Sequence, residues 1–86
     1  MASADPQDTE TFSRHRDALF GVAYRMLGSR ADAEDVVQSA WLRWNEHADD
    51  VDYPTSWLNR TVTRLAIDAC RQAYRAREEY TGTWLP

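Results

Sequence analysis

An all-α domain of three helices is the fold this sequence predicts, and three observations predict it. Apolar residues recur at helical spacing in three separate stretches, no stretch of useful length alternates apolar with polar residues, and 86 residues suffice for one core only. A hydrophobic content of 43%, with four Trp, four Tyr and two Phe, is far above that of a disordered chain, so a compact fold is expected. Cys70 is the single cysteine and no Cys/His cluster has zinc-site spacing, so the core must hold without a disulfide or a metal.

Residues 1–8 are small and polar and contain Pro6, which reads as a flexible tail ahead of a helical domain over 9–78. The first helix is expected from about Thr9 to Leu27, where Phe12, Leu19, Phe20, Ala23, Tyr24 and Leu27 share the helical period and Gly28 follows as a terminator. Ser29 is placed to cap a second helix, Arg30 to His47, with Asp32 three residues on and an apolar stripe of Ala33, Val36, Val37, Ala40, Trp41 and Trp44. Residues 48–53 are acidic and aperiodic, and Pro54 suits the first position of a third helix running to about Arg77. Within that helix no Gly or Pro interrupts the stripe of Leu58, Val62, Leu65, Ala66, Ala69 and Ala73. Residues 79–86, ending Trp84-Leu85-Pro86, read as the start of a linker to regions beyond this chain.

Secretion and membrane insertion are both disfavoured, because Met1 to Gln7 lacks a basic start and an apolar run, and nowhere do about 18 apolar residues follow one another. A cytoplasmic setting is expected. Net charge is −4, which by itself argues against a nucleic-acid binder, yet the charges are segregated. Residues 1–53 hold five Arg against eleven acids, whereas residues 54–77 hold five Arg against Asp68 alone.

On a helical wheel Arg60, Arg64, Arg71 and Arg75 fall within about 60° of one another, roughly opposite the apolar stripe of the third helix. Such a face is either a solvated surface or a phosphate-binding one. Its single sign favours the latter, since a solvated face normally balances its charges through pairs one turn apart. Trp57 and Thr61 lie on or beside the stripe and Tyr53 precedes it, which joins flat aromatic surface and hydrogen-bonding groups to positive charge, the combination single-stranded DNA requires. Trp57 is also readable as plain core, and Tyr53 as a residue that closes it. On the second helix Asp35, Gln38 and Leu42 share an outward face at i, i+3 and i+7, a spacing suited to a partner helix.

The segment Asp32-Ala-Glu-Asp-Val-Val-Gln-Ser-Ala-Trp-Leu-Arg-Trp44 resembles region 2.2 of the sigma-70 family, and Trp57-Leu-Asn-Arg-Thr-Val-Thr-Arg-Leu-Ala-Ile-Asp68 resembles regions 2.3–2.4 of its extracytoplasmic-function (ECF) group. With Leu19-Phe-Gly-Val-Ala-Tyr-Arg-Met-Leu27 as region 2.1, the resemblance spans Phe12 to Arg77. It implies a transcription initiation domain in which Asp35, Gln38, Ser39 and Leu42 dock on the β′ clamp helices of RNA polymerase core. Thr61 and Arg64 then meet unstacked bases on the non-template strand of the promoter −10 element, Trp57 sits at the upstream edge of the bubble, and the 48–53 loop with Tyr53 captures a flipped base. The ending Tyr80-Thr-Gly-Thr-Trp-Leu-Pro86 is similar to the linker of the subgroup that carries a SnoaL-like C-terminal domain. That domain, or an anti-sigma factor, is the further partner the resemblance implies. The chain departs from the family pattern at three places: Ser39 stands where many members have Glu, Arg64 where many have Asn, and Ala69-Cys70 where Arg-Leu is common.

Nothing in the sequence supports an enzyme, since there is no Gly-rich phosphate loop, no metal-ligand spacing and no nucleophile with a base; no cofactor is expected. His15 and His47 read as surface bystanders. The alternative function is a helical interaction module whose arginine face meets an acidic protein.

Overall fold

In the computed structural model, residues 6–81 are described, with side chains as far as residue 78. Three helices carry almost all of it: α1 (Pro6–Leu27), α2 (Arg30–His47) and α3 (Pro54–Thr81), with a 3-10 turn over Ala48–Asp50. No helix among the described residues is long and apolar enough to cross a membrane. The bounds of α2 coincide with the sequence expectation. α1 begins three residues earlier than expected, and α3 runs four residues past Arg77. The remainder of the expected tail, residues 1–5, and of the expected linker, residues 82–86, lies outside the described residues.

Local chemistry explains the turn between α1 and α2. Gly28 takes φ 69°, and its N–H donates to Tyr24 O at 2.8 Å, which closes α1 with a left-handed residue. Ser29 then caps α2 from extended backbone, its Oγ accepting from the Asp32 N–H at 3.3 Å. Gly28→Ala is expected to lower stability by about 1–2 kcal/mol in urea unfolding: an added Cβ meets no atom within 4 Å, so the loss is the left-handed backbone alone.

The two-residue connection folds α2 back along α1. The start of α1 therefore meets the end of α2, where the Trp44 Nε1–H donates to Asp8 O at 2.8 Å and the rings of Phe12 and Trp41 lie 5.1 Å apart. α3 runs in the direction of α1: Thr55 meets His15 near its start, and the Cys70 thiol reaches Met26 O at 3.6 Å near the end of α1. The core is Phe12, Leu19 and Ala23 of α1, Ala33, Val36, Val37, Ala40 and Trp44 of α2, and Leu58, Val62 and Ala66 of α3. Large side chains such as Leu19, Leu58 and Val62 each contribute about 1.5–3 kcal/mol through burial. Trp44 is the buried tryptophan of α2, while Trp41, expected inward, is half-buried.

At about 1.5 Å per residue α3 outlasts its partners by roughly ten residues. Every side chain from Arg71 to Glu78 is exposed, although Gln72, Ala73, Tyr74 and Arg77 still line the cleft between α3 and α2.

Candidate functional site

On α2, burial of Val36, Val37 and Ala40 turns the opposite face outward. Asp35, Gln38 and Leu42 are exposed there, Leu42 at 54%, and Ser39 is half-buried beside them. This ridge stands between two clefts. One, of about 820 Å³ against α3, includes Asp35 and Ser39 with Val36, Leu65 and Ala69; the other, of about 220 Å³ against α1, includes Gln38 with Phe12 and Trp41. A ridge of short side chains flanked by two grooves is a shape a partner helix can grip by interdigitation. The structure places Asp35, Gln38 and Leu42 on one outward face of α2, with Ser39 at its edge.

On α3, Arg60, Arg64, Arg71 and Arg75 are all exposed, and Thr61 is half-buried at the edge of the face. Among the described residues none of the four arginines is in an ion pair. Their charges face water along about 22 Å of helix. The same face carries two apolar side chains that the sequence reading passed over, Ile67 at 38% exposure and Tyr74 at 67%. Their signal was present, because positions 60, 64, 67, 71 and 74 keep one helical period; only the charges had been counted.

At the start of α3 the chain makes a corner. Tyr53 is 77% exposed, and its carbonyl accepts the Trp57 N–H at 3.0 Å, so the loop residue is also the first anchor of the helix. Trp57 is half-buried and tilted against two rings, Trp44 at 5.6 Å and His47 at 6.1 Å. Trp57 thus packs against the core while staying half-buried. The histidines are not bystanders. His47 packs on Trp57, and His15 bonds to Thr55 in the first turn of α3, contacts across the fold that no local pattern announces. Among the described residues no group of three His, Cys, Asp or Glu side chains is arranged to hold a metal ion.

Comparison with known proteins places the chain in a family. The family model described as Sigma-70 region 2 matches residues 11–76, most of the described chain. The chain belongs to the sigma-70 region 2 family. This region 2 domain is 48% identical over 79 residues to the ECF RNA polymerase sigma factor SigJ of Mycobacterium tuberculosis, covering 92% of this chain and 25% of that protein. It is 35% identical over 75 residues to the ECF RNA polymerase sigma factor SigW of Bacillus subtilis (80% and 40%), and 33% identical over 79 residues to SigE of Mycolicibacterium smegmatis (90% and 31%). These relatives support the ECF group within the family. The region 2 domain spans a quarter to two-fifths of the length of the curated relatives just named. No solved structure matches it.

Proposed function

We propose that this region 2 domain docks on the β′ clamp helices of RNA polymerase core through Asp35, Gln38, Ser39 and Leu42, and captures the melted −10 element through α3 and the loop before it. The observation that carries the reading is the pairing of an exposed ridge on α2 with an exposed arginine face on α3, within one small domain that matches the family. Arg60, Arg64, Arg71 and Arg75 hold strand phosphates, while Tyr53 and Trp57 stack on bases already out of the duplex, each stack worth about 1–3 kcal/mol. Thr61 and Arg64 supply the hydrogen bonds that read a base. The domain stabilises an extruded base and performs no bond chemistry of its own. Its net charge of −4 opposes the approach of free DNA, so docking on polymerase comes first and offsets that repulsion. The setting is the cytoplasm, where polymerase and promoter meet.

The finer subgroup follows from the resemblance of residues 80–86 to the linker before a SnoaL-like C-terminal domain. Support comes from the length of SigJ, of which the matched part is 25%, ample for further domains. A second reading, an acidic protein such as an anti-sigma factor on the arginine face, draws support from Ile67 and Tyr74, because exposed apolar groups among arginines also suit a protein surface.

Titration against an isolated β′ clamp-helix fragment tests the docking half. Wild type is expected to bind saturably. Leu42→Ala should weaken binding about tenfold, and Gln38→Ala by a smaller factor, without change in the unfolding midpoint. A folded wild-type domain that ignores the fragment would shift the reading to the protein-interaction alternative.

A further inference from the structure

The first turn of α3 is packed on one side, where Trp57 leans on the core, and exposed on the other. Its N-terminal residue is Pro54, the loop before it exposes Tyr53, and Tyr53 contributes its backbone carbonyl to the turn. One long-range polar link reaches the turn from α1: His15 Nε2 lies 2.8 Å from Thr55 Oγ1, across 40 residues of sequence. The other ring nitrogen, Nδ1, lies 2.8 Å from Thr11 O one turn back along α1. A carbonyl oxygen only accepts, so Nδ1 carries the hydrogen and donates to it, which fixes the ring plane. In the neutral ring Nε2 then accepts the Thr55 hydroxyl proton. The link is thus a strut between α1 and the first turn of α3.

The geometry points to His15 as a positioning residue for the base-capture corner, an assignment that rests on the proposed function. The strut has a defined load. Thr55 lies two residues after Tyr53 and two before Trp57, so fixing its side chain against α1 fixes the turn between the two aromatic groups proposed to stack on bases. Trp57 is held from its other side by Trp44 and His47. With both supports in place the corner is set before DNA arrives, and less ordering remains to oppose binding. His15 touches no base in this scheme; it acts through Thr55.

Three variants of the chain test it: His15→Ala, Thr55→Val and their double, with Thr55→Ser as the conservative control that keeps the hydroxyl. Two readouts are taken. In native-state amide exchange, the Trp57 N–H should exchange about fivefold faster in each single variant, the size expected for one lost hydrogen bond, while the Ala40 N–H of α2 keeps its rate. The double variant should be no faster than either single, and Thr55→Ser should match wild type. In the second readout, a single-stranded oligonucleotide is selected from a random pool by the domain bound to the β′ clamp-helix fragment. It should bind His15→Ala and Thr55→Val a few-fold more weakly, with binding of the β′ fragment itself unchanged. Additive exchange effects, a rise at Ala40 equal to that at Trp57, or faster exchange at Trp57 with undiminished oligonucleotide affinity would each overturn the assignment. If wild type selects no oligonucleotide while the exchange results hold, the failure belongs to the proposed DNA function and not to the strut.

Discussion

Trp44→Ala should bring the domain to the edge of unfolding. The indole is 2% exposed and packs at the meeting point of all three helices, so its removal forfeits about 3–5 kcal/mol of burial and packing. An 86-residue domain has only about 4–13 kcal/mol to lose. Two further losses follow from particular contacts. Asp8 O loses the indole N–H that ties the first turns of α1 to α2, and Trp57 loses the ring it leans on. Urea unfolding followed by circular dichroism checks the outcome, and Trp44→Phe separates its causes. Phenylalanine keeps an aromatic ring in the site but cannot donate to Asp8 O, so it should cost less than alanine while still loosening the start of α1. A Trp44→Ala midpoint equal to wild type would mean that this residue does not unite the three helices.

The same tryptophan shows where local sequence stops being informative. The ends of α2 were legible because their signals are local: a serine cap, a left-handed glycine before it, and an acidic aperiodic run after it. The start of α1 was not, since Pro6 and its small polar neighbours resemble a tail, and the contact that engages the first turns comes from Trp44, 36 residues away. The far end of α3 was set too early for the opposite reason. Its apolar stripe fades into Ala69 and Ala73, although no glycine or proline stands between Pro54 and Gly82, and the helix continues without a core to lean on. In the candidate site, outward charges and Leu42 were readable from spacing alone. The roles of His15 and His47 were not, because a histidine on a polar face gives no sign of the helix it will meet. Ile67 and Tyr74 lie between these cases: the period carries them, but only after the charged face is recognised as a surface that also admits apolar groups.

Replacing Arg60, Arg64, Arg71 and Arg75 together with glutamine should give the largest functional loss with the least structural one. All four are exposed and outside ion pairs among the described residues, so folding stability should change by about 0.5 kcal/mol or less per site. Binding of single-stranded DNA by the polymerase-docked domain should instead fall by about two to three decades at 0.1 M salt, because each phosphate contact contributes about −0.7 to the slope of log K against log salt. That slope should become shallower by roughly three. Single substitutions divide the face further. Arg71→Gln and Arg75→Gln, on the exposed C-terminal part of α3, should weaken all sequences alike and each reduce the slope by about the same increment. Arg64→Gln, beside Thr61, should in addition change which base is preferred, since Thr61 and Arg64 are the pair proposed to read a base. Fluorescence anisotropy across a salt series with the selected oligonucleotide and its single-base variants measures both quantities at once. An unchanged slope would remove phosphate from the account of this face. An acidic protein partner would then explain why four unpaired arginines share it with Ile67 and Tyr74.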